Sequence, residues 1–102
     1  MGYCVYQMPA VQEAPLDYSS NIHDLVQQLH QANPADHRGF LPFLEPLGQN
    51  WFKKRYDKYR LVAKLISVPV GHCQVPVVVL VDFLHRADPA YGSGKAVDFE
   101  QR

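Results

Sequence analysis

Cysteine is scarce, net charge is absent and no apolar run is long. The two cysteines, Cys4 and Cys73, stand far apart and outside any C-x-x-C pair, which argues against a disulfide framework or a cysteine-built zinc site and leaves free thiols as the expectation. The run Val77–Val81 falls far short of the roughly 18 residues of a membrane span. The opening MGYCVYQMPA lacks the basic start and apolar core of a secretory signal, so the expected location is cytoplasmic, with no membrane partner. Ten acidic and ten basic residues cancel; no global field draws the chain to a polyanion, and any such affinity must be local. There is no glycine-rich phosphate loop and no Ser/His/Asp ordering. Among the five histidines, His23 and His30 are too far apart on one helix to share an ion and no third ligand has a suitable spacing. Neither a metal nor another cofactor is expected.

What remains is a chain of 102 residues, 47% apolar, enough for one small domain spanning 1–102. Tyr3–Met8 alternates as a short strand ending at Pro9, and 10–17 looks like a loop. Ile22, Leu25, Val26, Leu29 and Ala32 fall at helical spacing, with Ser19, Ser20 or Asn21 to cap the start and Asn33-Pro34 to stop it. Asp36–Leu44 offers a second, shorter helix with Phe40, Leu41 and Leu44 inward, interrupted by Gly39 and Pro42. After Gly48 the period becomes two. Trp51–Tyr56 and Tyr59–Val68 are predicted strands joined at Asp57-Lys58. A loop over Pro69–Pro76 then leads to Val77–Phe83, whose unbroken apolar run suggests a central strand buried on both faces. Residues 92–102 are expected as a tail or a short terminal helix. The order is strand, helix, helix, three antiparallel strands: an α+β domain with two helices packed on one face of a small antiparallel sheet.

Charge is concentrated in one place. Lys53, Lys54, Arg55, Lys58 and Arg60 are half of all the Lys and Arg, interleaved with Trp51, Phe52, Tyr56 and Tyr59. Cations that bind phosphates beside rings that stack on unpaired bases are what a single-stranded RNA surface needs. A Lys-rich edge strand kept soluble by its charge is the competing explanation. Strand alternation puts Lys53 and Arg55 on one side and Lys54 on the other, and the Lys53 and Arg55 side is the expected RNA face.

The run Arg55-x-x-x-Tyr59-Arg60-Leu61-Val62, the strand Val77–Val81, then Phe83-x-His85 and Tyr91 resembles the second half of the RelE/HigB superfamily of bacterial toxins. Upstream, Leu44-Glu45-Pro46-Leu47-Gly48 before Trp51–Arg55 is similar to that family's approach to its first long strand. The resemblance covers about Ile22 to Tyr91. It implies the same strand, helix, helix, three-strand order. It also implies an endoribonuclease acting on mRNA, at the ribosome or free of it, held inactive by an antitoxin protein. Carried over residue by residue, it makes Arg55 a contact to the substrate phosphate, and His85 and Tyr91 the remaining catalytic positions; Lys53, Lys54 and Arg60 are expected, from their charge, as secondary RNA contacts.

Metal-independent cleavage requires a base for the ribose 2′-hydroxyl, an acid for the leaving 5′-oxygen and a cation for the developing charge. His85 suits acid or base work near neutral pH, and the planar fork of Arg55 suits charge stabilisation. Simpler roles stand beside these: Arg60 pairing with Asp57 or Asp82, His85 capping a loop, Tyr91 packing a turn beside Gly92. The rival functional reading is a non-catalytic RNA- or protein-binding module on the same fold.

Overall fold

The sheet is organised by residues that must point inward at irregular spacing. A computed structural model describes residues 2–37 and 40–88. Its elements are β1 (Cys4–Gln7), α1 (Pro9–Gln12), a 3₁₀ turn (Leu16–Tyr18), α2 (Ser19–Gln31), a 3₁₀ turn (Pro34–Asp36), β2 (Glu45–Gly48), β3 (Trp51–Tyr56), β4 (Tyr59–Val70) and β5 (Cys73–His85). The strands lie side by side as β1-β5-β4-β3-β2. β1 runs parallel to β5 and every other neighbouring pair is antiparallel. The domain is α+β with a five-stranded mixed sheet. No described helix is long and apolar enough to cross a membrane.

Helix α2 forms where its apolar stripe lies, burying Ile22, Leu25, Val26 and Leu29. The start of the chain clasps its last turn. Tyr3 N–H donates to Leu29 O at 3.0 Å and His30 Nδ1–H donates to Tyr3 O at 3.0 Å. At Gly2 a Cβ would overlap the backbone of His30, so only glycine lets the two segments approach.

On the helix side the core joins Tyr3, Phe52, Leu61, Ala63, Val78, Leu80 and Phe83 to the α2 stripe. Leu80 and Phe83 are three apart, which a period of two cannot place on one face. A β-bulge resolves the conflict: Val62 pairs with Asp82 and Ala63 with Leu80, leaving Val81 as the extra residue.

The structure departs from the sequence expectations in several places, first in the sheet itself, which is five-stranded and mixed because β1 joins β5 in parallel, where a small antiparallel sheet was expected. The second helix does not form over Asp36–Leu44. Its described residues are a 3₁₀ turn and irregular chain that still bury Leu41 and Leu44 but leave Phe40 48% exposed, because Pro42 drives Leu41 out of the helical region. Residues 9–12, read as loop, make the one-turn helix α1 with Pro9 at its first position, where proline fits. A short strand, β2, extends the sheet beyond β3. Its hairpin turns on Gln49 and Asn50, both at positive φ (54° and 67°), the conformation of a tight two-residue turn. Most of Pro69–Pro76 is strand, reversed at Gly71 (φ 60°). Val77–Phe83 is an inner strand, yet only Val78, Leu80 and Phe83 are buried, while Val77, Val79 and Val81 are half-exposed on the side away from the helices. The expected tail 92–102 lies outside the described residues.

Candidate nucleic-acid interface

The β3–β4 hairpin carries the cationic cluster, and its register decides which charges meet. Lys53 pairs with Val62, Lys54 with Leu61, Arg55 with Arg60 and Tyr56 with Tyr59. Alternation therefore places Lys53, Arg55, Arg60 and Lys64 on the open face, with Glu45 and Asp82 as the carboxylates of that face. One oxygen of Glu45 lies 3.9 Å from Lys53 Nζ and 3.8 Å from Arg55 Nε, long contacts at an exposed site that contribute little. Arg55 and Arg60 sit directly opposite each other. Like charges in that position destabilise a sheet by a few tenths to about 1 kcal/mol.

Arg60 bends back over the turn, where Nη1 donates to Asp57 O and Tyr59 O, both at 2.8 Å. The partner offered by Asp57 is thus its backbone carbonyl. The turn holds Asp57 at φ 56°, a conformation that aspartate tolerates. Lys58 and Arg86 are exposed at the same end, joined by Arg86 N–H donating to Lys58 O at 2.8 Å. Lys54 points to the helix side and donates to Phe43 O at 3.1 Å; it is not on the Lys53 and Arg55 face.

The aromatic residues of the cluster turn inward. Tyr59 stacks on Phe83, with ring centroids 5.2 Å apart, and Tyr18 meets Tyr59 edge-on at 5.2 Å. Tyr56 lies 6.1 Å from Phe83 and its hydroxyl reaches Asn21 O at 3.5 Å. Burial, and then the Asp24 carboxylate, push the Tyr56 phenol up to about 12. Tyr18 is raised by desolvation and then by the Asp57 carboxylate, to which its hydroxyl is hydrogen-bonded. Trp51, on the open face, is buried against Val62 with Leu47, Val81 and Leu84 around it, and Lys64 Nζ stands 5.0 Å over its ring. These rings are packing groups, and the base-stacking role read from their interleaving with Lys and Arg has no exposed ring to perform it here.

His85 pairs across the sheet with Tyr59 and meets that ring edge-on at 5.5 Å. Its Nδ1 accepts from Ala87 N–H at 3.0 Å, which fixes the neutral tautomer with the proton on Nε2. It is therefore a loop-capping histidine on the helix side, whereas Arg55, two strands away, is on the open face. The structure brings Arg55, Arg60 and Lys53 together; it places His85 at the same end of the sheet but on the opposite face. Tyr91 lies outside the described residues. Lys58 and Arg86, which extend the basic rim, were visible as exposed-type residues flanking the turn and His85, but only the Arg86–Lys58 backbone bond reveals that they meet. Among the described residues no three His, Cys, Asp or Glu side chains cluster to hold a metal ion. No family model, curated protein or solved structure matches the chain.

Proposed function

We propose that this protein binds single-stranded RNA along the rim formed by the β3–β4 turn, holding the phosphate backbone with Arg55 and Arg60 and supporting it with Lys53, Lys58 and Arg86. The observation that carries this reading is the direct cross-strand pairing of Arg55 with Arg60. The two side chains leave the sheet at one point of the open face, Arg55 toward Glu45 and Arg60 toward the turn carbonyls of Asp57 and Tyr59, and a phosphate bound beside the pair offsets their like charge and accepts from both forks. Because the nearby rings are committed to packing, recognition rests on the backbone and tolerates sequence. Fluorescence anisotropy with a labelled RNA oligomer tests the reading. Arg55→Gln and Arg60→Gln are each expected to weaken binding severalfold, and the unmodified protein failing to bind at low salt would contradict it.

The second reading is a toxin-type endoribonuclease of the RelE/HigB kind, acting on mRNA at the ribosome and neutralised by an antitoxin. It is favoured by the chain order: β1 lies parallel to the last strand, helices cover one face, and β3, β4 and β5 follow as antiparallel neighbours. In this reading an RNA strand wrapped over the end of the sheet meets Arg55 and Arg60 on one face and, on the other, the His85 Nε2–H as a hydrogen-bond donor. Growth arrest on induced expression that Arg55→Ala and His85→Ala both relieve supports it. Full cleavage by both variants removes these residues from the chemistry.

A further inference from the structure

Beyond the basic rim, β4 and β5 continue as an arm. β3 pairs with β4 only as far as Lys64, and β1 pairs with β5 only from Val77. The base of the arm shares a cleft with Gly2, Cys4, Asn33, Pro34 and Ala35, and the residues of the arm alternate. Ser67, Pro69, Gln74 and Pro76 take the helix-side face, where Ser67 Oγ donates to Gln74 Oε1 at 2.9 Å. Ile66, Val68, Val70, Cys73 and Val75 take the open face. The rows continue without a charge: Val70 beside Cys73, Val68 beside Val75, Ile66 beside Val77 and Cys4. Tyr6 and Val79 follow in the next row, where Lys64 lies over Trp51. Tyr6 is 57% exposed and Val70 58% exposed. A strand pair wet on both sides has no reason to alternate in this way, and a monomer seldom exposes an apolar patch beyond a few hundred Å².

We infer that this open face is the contact surface of a homodimer, in which two copies pack their sheets face to face. Three properties point to a second copy. The patch is uncharged and the chain has no net charge, so like surfaces meet without repulsion, and a two-fold contact needs only self-complementarity. With strands about 4.8 Å apart and about 3.3 Å per residue, the two strands over Ile66–Val70 and Cys73–Val77, with Cys4 and Tyr6 of β1 beside their base, project roughly 250 Å² per copy. Both copies together bury about 500 Å² of projected area, more when corrugation is counted, which is the size of a weak, concentration-dependent contact. Edge-to-edge growth is discouraged. Leu65 N–H donates to Asn50 O and Met8 N–H to Leu80 O, so by alternation the backbone nitrogens of Pro69 and Pro76 face the two outer edges, stripping each of a donor.

Sedimentation velocity of the full chain over a concentration series tests the inference, with Ile66→Lys and Val77→Lys as variants; neither lies in the basic rim. The wild type is expected to rise toward twice 11.6 kDa with concentration, and both variants to stay at the monomer mass with an unchanged thermal melt. Should the variants fail to fold, alkylation of Cys4 and Cys73 in the wild type decides, since both thiols lie on the face and lose reactivity as concentration rises into the dimer range. A wild type that stays monomeric throughout, which would leave the face for a partner of another sequence, overturns the inference. So does a dimer that the lysines leave intact, or thiols whose reactivity is independent of concentration.

Discussion

Arg55 is 60% exposed in its side chain and held only by the long contact to Glu45, so little stability depends on it. Replacing it with Thr removes one surface ion pair and one cross-strand repulsion, which nearly offset. Unfolding free energy is expected to change by less than about 0.5 kcal/mol while RNA affinity falls, and chemical denaturation beside the binding assay separates the two effects. Tyr56 gives the complementary case of a group built into the fold. Its folded pKa of about 12 lies above the value near 10 of an unfolded chain, so the protonated phenol favours the folded state. That contribution is intact below pH 10 and is lost as pH rises through about 12. Ultraviolet phenol titration should show Tyr56 among the late-ionising tyrosines, with Tyr18 and Tyr3 also raised, and Tyr56→Phe should reduce the late step by one phenol. At this scale the sequence was informative about which cations share a face, because strand alternation is local. It was misleading about the rings. Whether Tyr56 and Tyr59 stack on bases or on Phe83 depends on Tyr18 and β5 arriving from distant parts of the chain.

The bulge in β5 is the element on which core and open face both depend. Leu80 is fully buried, and truncation to Ala is expected to cost about 2–5 kcal/mol by transfer and cavity terms, read from the denaturation midpoint. The β2–β3 hairpin offers an opposite test. Gln49 and Asn50 both occupy the left-handed region, which costs an ordinary L-residue about 1–2 kcal/mol, so the double change Gln49→Asn and Asn50→Gly should stabilise the fold by on the order of 1 kcal/mol. Helix α2, β1, β3 and most of β4 could be read from period alone; the caps expected of Ser19, Ser20 or Asn21 do not form, since α2 begins at Ser19 behind Tyr18 with no side-chain cap. β2 could not, since Glu45–Gly48 holds a proline and only Leu47 as an apolar anchor, and its pairing to β3 is set by a turn without the usual Asn-Gly signal. The second helix was over-read from Leu41 and Leu44, which are core anchors of an irregular segment. The unbroken run Val77–Val81 signalled burial on two sides; the helix side is covered, whereas on the open face Val81 packs against Trp51 and Val62, while Val77 and Val79 stay half-exposed.

For the molecule as a whole, one sheet face does two things. Its β2–β3–β4 side and the turn rim carry Lys53, Arg55 and Arg60, and its β1–β5–β4 arm carries valine, isoleucine and tyrosine. A neutral chain thereby carries a local basic surface, which we propose binds phosphates, without becoming basic overall. The Arg55 and His85 pair that the toxin reading needs is divided between two faces of the sheet, and for that reason we propose binding ahead of cleavage. The most direct test is the salt dependence of binding to a single-stranded RNA oligomer. With about three phosphates neutralised by Lys53, Arg55 and Arg60, log K should fall against log salt with a slope of about −2, and each Arg→Gln change should reduce its magnitude by about 0.7. A slope near zero, or one that Arg55→Gln and Arg60→Gln leave unchanged, would contradict the account.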